Sequence, residues 1–143
     1  ALLGLSTQHS KADWYRALVE GLLFALKDGQ VHVEQHTKQK ISQLFAAGGG
    51  SQSNAVMQTA ADIFNMPIYK PHTRETSGLG AAMCAAVAMN LYPDLASAVR
   101  AMSRTDTIFY PNSVQAAFYQ RCYQNIYKPW VKGLVELYAQ QSL

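Results

Sequence analysis

Apolar and polar positions alternate along this chain in two rhythms, and the change from one to the other marks its elements. From Ser10 to about Gln35, Trp14, Leu18, Leu22 and Leu26 recur every fourth residue, with Ala17, Val19, Leu23 and Phe24 widening the same apolar face. That spacing predicts a long amphipathic helix. Ser10 suits its N-cap, and Asp13 stands where a capping box usually has glutamate. Gly21 inside the helix costs about 1 kcal/mol relative to alanine, so something is expected to pack closely there. After the polar break His36 to Lys40, the apolar run Ile41 to Ala47 predicts a strand that ends in Gly48, Gly49 and Gly50. Helical periodicity resumes from about Gln52 to Phe64, with Val56, Ala60, Ile63 and Phe64 turned inward and Ser51 or Ser53 available as the cap.

Asn65 fits a left-handed helix stop, and Pro67 prevents continuation. The segment Pro67 to Pro71 then predicts a short strand confined by its prolines. Helix, strand, helix, strand in this order favours a parallel crossover. A third helix is expected from about Ser77 to Asn90, and a fourth, capped by Asp94, to about Met102. Thr107 to Tyr110 follows as a last short strand or extended pass. The closing helix starts near Ser113, with Phe118, Cys122, Ile126 and Trp130 every fourth residue and a kink expected at Pro129. The whole reads as one helix-dominated α/β unit.

Composition narrows the function classes. Apolar residues make up 49% of the 143 and charged residues 15%, which excludes disorder. The net charge of +3 comes from cations scattered between Lys11 and Lys132, so no nucleic-acid stripe is expected. Cys84 and Cys122 form neither a CxxC pair nor a disulfide framework, which favours a reducing cytoplasm. Ala1 to Leu5 is too short for the apolar core of a leader. Thr76 to Leu91 is uncharged but rich in alanine and glycine and stopped by Pro93, so it reads as a packed helix rather than a membrane span.

Most chemical signatures fail on spacing. A Walker A loop needs lysine and a hydroxyl straight after its last glycine, and Gly50 is followed by Ser51 and Gln52. Gly78 and Gly80 open a dinucleotide fingerprint that Met83 breaks. His32 and His36 share a helical face, but Glu34 sits at the wrong offset for a zinc protease, and a polar helix end accounts for the pair. His9 and Ser10 are adjacent and do not face each other as base and nucleophile. Tyr119, Tyr123, Tyr127 and Trp130 follow helical spacing, which favours a core or docking face over base stacking. The glycine run is what remains: a strand reaching a helix start through glycines either simply turns or seats a phosphate or ribose oxygen.

Three blocks in order add a resemblance. GLSTQHSKADWYRALVEGLLFAL from Gly4, AAGGGSQSNAVMQTAADIFNMPIY around the glycines and ETSGLGAAMCAAVA from Glu75 resemble the C-terminal part of the FGGY carbohydrate kinases, which include xylulose, ribulose and glycerol kinases. Trp14 departs from that pattern, standing where a smaller aliphatic or phenylalanine is usual.

The resemblance implies a ribonuclease-H-like fold of the actin and hexokinase type, of which residues 1–143 would be a single C-terminal, nucleotide-binding piece. It implies ATP and Mg2+ as cofactors, and transfer of the γ-phosphate to a sugar or polyol hydroxyl, with a pentulose such as xylulose favoured. Gly48, Gly49 and Gly50 match the family's loop along the α-phosphate and ribose, with Ser51 following; Asn54 matches an adenine contact, with Ser53 beside it. The Gly78 to Ala86 helix matches a small-residue helix packed on the sheet. The catalytic base, most sugar contacts and three further strands would lie before Ala1, so no catalytic residue and no metal ligand is assigned here, and this chain alone is expected to be inactive. Uncovered strand edges recruit partners, so self-association into a homo-oligomer or fast amide exchange along those strands is expected. A non-catalytic nucleotide-binding module and a helical interaction module remain the alternatives.

Overall fold

The computed structural model describes residues 3–141; Ala1 and Leu2, the start of the leader reading, lie outside them. Helix α1 spans Lys11–Thr37. The expected box is formed: Ser10 N–H and Oγ both donate to Asp13 Oδ2, at 2.8 and 2.7 Å, while Asp13 N–H donates to Ser10 Oγ at 3.3 Å. These bonds hold the Asp13 carboxyl below its usual range.

Strand β1 is only Leu44–Phe45, shorter than the apolar run from Ile41. A 3-10 turn, Gly49–Gln52, leads to α2, Asn54–Phe64, and Asn65 closes it in the left-handed conformation at φ 53°. Strand β2, Ile68–Pro71, pairs in parallel with β1, Leu44 opposite Ile68 and Phe45 opposite Tyr69. Helices α3, Thr76–Ala88, and α4, Leu95–Met102, come next; Asp94 caps α4 by accepting from Ser97 N–H at 2.7 Å. Strand β3, Thr105–Phe109, then pairs antiparallel with β2, so the three-stranded sheet β1-β2-β3 is mixed rather than wholly parallel. Its register slips between Lys70 and Pro71, where the proline has no N–H for the ladder.

Helix α5, Ser113–Cys122, is capped by Asn112 rather than Ser113, and a π-helical turn, Tyr123–Tyr127, joins it to α6, Lys128–Gln141. The ladder is loosened to five-residue spacing in this turn, shortly before Pro129.

The core lies where α1, α2 and α5 meet. Met57, Ala60, Ala61, Ile63 and Phe64 of α2 are buried with Leu23, Phe24, Ile68, Phe109, Tyr119 and Tyr123. The Phe24 ring lies 5.8 Å from that of Tyr123 and 5.3 Å from that of Tyr127, so the aromatic row of the last helix is largely core, although Trp130 is exposed. Two expectations are corrected here. Trp14, Leu18, Leu22 and Leu26 are exposed, by 43 to 68%, while Leu23, Phe24 and Lys27 are the buried positions of α1. The helix carries a second apolar arc, and periodicity cannot say which arc meets the core. Gly21 has no close neighbour either: a Cβ there would meet nothing within 4 Å.

Lys27 is buried because its polar head is answered. Its Nζ donates to Ile63 O at 2.6 Å and to Gln120 Oε1 at 2.9 Å, and lies 5.0 Å from the Tyr123 ring centre. Burial, and then the charge of Lys128, lower its pKa. Asp62 is buried too; its Oδ1 accepts from Asn112 N–H at 2.7 Å and Gln58 Nε2 at 3.1 Å, pinning the start of α5 to α2.

Candidate functional site

The carboxyl ends of β1 and β2 point the same way, and the segments leaving them form the candidate site. Ala46 N–H donates to Tyr69 O at 3.0 Å, the last rung before the glycines. Gly48 then takes φ 88° and ψ −169°, a conformation that only glycine adopts without strain. This reverses the chain. Ser51 closes the turn from inside, donating from N–H at 3.2 Å and from Oγ at 2.7 Å to Gly48 O, and is itself buried. Ser53 caps α2, its Oγ accepting from Val56 N–H at 3.4 Å, and Asn54 opens the helix in an exposed position.

The structure thus brings Gly48, Gly49, Gly50, Ser51, Ser53 and Asn54 into one turn, with different jobs. Ser51 braces the loop and Ser53 caps the start of α2, which leaves Gly49, Gly50 and Asn54 exposed. A Cβ placed on Gly48, Gly49 or Gly50 would meet nothing within 4 Å, so the outer side of the turn is open to an approaching group.

Two cavities flank this turn. A polar one of about 420 Å³ is lined by Gln52 from the turn, by Lys70, His72, Arg74 and Glu75 from the end of β2, and by Asp106 of β3. An apolar one of about 420 Å³ lies between the strand ends, at Phe45 and Ala47, and α3, at Leu79, Gly80 and Met83. Gln52 and the residues after β2 were not singled out from the sequence. The other candidates stay apart. His32 and His36 are exposed, His9 Nδ1 accepts from Ser6 N–H at 3.0 Å, and among the described residues no group of three or more His, Cys, Asp or Glu could hold a metal.

Residues 1–89 match the model of the C-terminal domain of the FGGY family of carbohydrate kinases. A xylulose kinase of Staphylococcus epidermidis is 31% identical over 139 residues, which are 97% of this chain and 28% of that protein. A xylulose kinase of Lactococcus lactis is 33% identical over 138 residues, 96% of this chain and 27% of that protein. Among solved structures, ligand-bound xylulose kinase from Lactobacillus acidophilus superposes with a TM-score of 0.83 at 30% identity, covering 98% of this chain and 28% of its own. The chain therefore spans little more than a quarter of the relatives it matches. With the glycine turn at the carboxyl end of β1, the helix-dominated α/β fold and a family model matched over residues 1–89, the chain belongs to the C-terminal domain of the FGGY carbohydrate kinases.

Proposed function

We propose that residues 1–143 are the ATP-binding part of a carbohydrate kinase that moves the γ-phosphate of ATP to a hydroxyl of a sugar or polyol, a pentulose such as xylulose being favoured. The observation that carries this reading is the open glycine turn. Backbone N–H groups there lie at a helix start, where anions bind well, and a Cβ on any of the three glycines would meet nothing within 4 Å. Gly48, Gly49 and Gly50 would lie along the nucleotide's ribose and α-phosphate, and the Asn54 amide offers a donor and an acceptor to the base. The names of the relatives support the substrate class: xylulose kinases lead, and a glycerol kinase of Dechloromonas aromatica is 31% identical over 115 residues.

When bound, ATP supplies the phosphoryl group; this chain positions it. No residue of this chain is assigned to Mg2+, which accompanies the nucleotide in this reading. No residue here is assigned as the base for the sugar hydroxyl. This chain alone would then forgo the proximity effect of a closed two-walled site, which can reach about 7 to 11 kcal/mol, and would not turn over. A cytoplasmic setting is part of the same reading; both cysteines are free thiols, and no helix among the described residues is long and apolar enough to cross a membrane.

The test is ATP titration calorimetry on the protein and on Gly49→Val. The valine has space within the fold, so loss of binding with unchanged melting supports the loop as the nucleotide site. Unchanged affinity would refute it. ADP release measured over a panel of pentuloses and polyols, for this chain and for a longer form carrying the preceding sequence, tests the rest: sugar-dependent turnover by this chain alone would overturn the division of labour.

A further inference from the structure

Consecutive glycines give a backbone more freedom than any other residues do, and a loop of that kind must be ordered before it can hold a ligand in one geometry. Here the next residue supplies the order. Ser51 gives Gly48 O two donors, its N–H at 3.2 Å and its Oγ at 2.7 Å, and with 4% of its surface exposed it is closed off from the open side of the turn. A nucleotide on that side does not touch it.

What these two bonds fix is the plane of the peptide between Gly48 and Gly49. That peptide is trans, and in a trans peptide the C=O and the N–H point to opposite sides. Gly48 O is held inward by Ser51, so Gly49 N–H is turned outward. This N–H is the first of the 3-10 turn, finds no acceptor within it, and takes no other among the described residues. A Cβ on Gly49 would meet nothing within 4 Å, so the space on its outer side is open. A backbone donor fixed in this direction suits an anionic oxygen, since a hydrogen bond to a charged acceptor is strong and depends on alignment.

Resting on the nucleotide reading of the turn, we propose that Ser51 is a positioning residue: through Gly48 O, it aims the Gly49 N–H at the α-phosphate. Its hydroxyl thereby sets the strength of nucleotide binding without contacting the nucleotide. The effect is confined to one part of the ligand. A serine that only stabilised the turn would influence every ligand of the site alike, whereas one that aims a single N–H influences those that carry an α-phosphate.

Calorimetry with AMP and adenosine, on the protein and on Ser51→Ala and Ser51→Thr, separates these two roles. Ser51→Ala should weaken AMP by about tenfold and leave adenosine unchanged, and Ser51→Thr, which keeps the hydroxyl, should restore AMP. Equal loss of both ligands, or unchanged AMP affinity in Ser51→Ala, would overturn the positioning role. The Gly49 amide resonance of the unaltered protein gives a second measurement that depends on no variant. Saturation with AMP should move it further downfield than saturation with adenosine does, and a resonance that stays in place while AMP binds would overturn the proposal. If the unaltered protein binds neither AMP nor ATP, the nucleotide reading fails and takes this role with it. If it binds both and Ser51→Ala keeps the ratio of AMP to adenosine affinity, the nucleotide reading stands and the role of Ser51 alone is refuted.

Discussion

The junction of α1, α2 and α5 and the glycine turn share helix α2, and they are built by opposite means. At the junction, large side chains do the work: Phe24 contacts the rings of Tyr119, Tyr123 and Tyr127, Lys27 reaches a carbonyl across the core, and the Tyr123 hydroxyl donates to Asp28. At the turn, side chains are withheld. Three glycines leave open space, Ser51 and Ser53 bind their own backbone, and the polar groups around the cavity are exposed apart from the half-buried Lys70. The difference teaches where stability and binding are separable here. A substitution at the junction should change folding, and one at the turn should change ligand affinity with folding intact.

The largest break in that contrast should come from Phe24→Ala, expected to lower stability by about 3 to 5 kcal/mol in urea unfolding, since a buried ring leaves a cavity among three others. A loss below about 1 kcal/mol would mean that the aromatic cluster is not the core it looks to be. Asp62→Ala should cost about 2 to 3 kcal/mol, because Asn112 N–H and the Gln58 amide both lose the acceptor that ties them to the buried carboxyl. If instead Asp62→Ala melts like the unaltered protein, the tie between α2 and α5 is dispensable. At the other end of α2, Asn54→Leu should weaken ATP binding by about 1 to 3 kcal/mol through an unmet hydrogen bond, with no change in melting. Equal affinities would remove Asn54 from the site.

Gly49→Val should sharpen the comparison from the opposite side, its effect on stability staying within about 0.5 kcal/mol. The smallest effect belongs to pH. The Asp13 carboxyl is held below its usual range by Ser10, so its contribution is complete above the unfolded value and is lost as the pH falls through the lower folded one. Helix content at the start of α1, followed by amide exchange, should decline only in that acid window; a decline near neutrality would contradict the capping box.

Much of the architecture was legible because its signals are local. Ser10 with Asp13, Asn65 at a left-handed stop and Asp94 before α4 are chemical marks of helix ends, and the structure uses all three. The glycine turn was legible for the same reason, as was its place between a strand and a helix. Lys70, His72 and Arg74 were not, because they join Gln52 and Asp106 only when β2 pairs with β1 on one side and β3 on the other. Nor was the antiparallel sense of β3, whose residues carry no mark of direction.

The sequence by itself determined where α1 begins, where α2 stops and where the backbone must pass through Gly48 at positive φ, since each depends on residues within a few positions of one another. Only the tertiary structure decided which arc of α1 is buried. Leu22 and Leu23 are equally apolar neighbours, yet one is 68% and the other 8% exposed. Burial belongs to the surface that α2 and α5 present, which has no trace in the spacing of leucines. The fate of Lys27 and Asp62 was settled in the same way: a charge can enter a core only where partners from distant segments, Ile63 O and Gln120 for the first and Asn112 N–H for the second, are already placed to receive it.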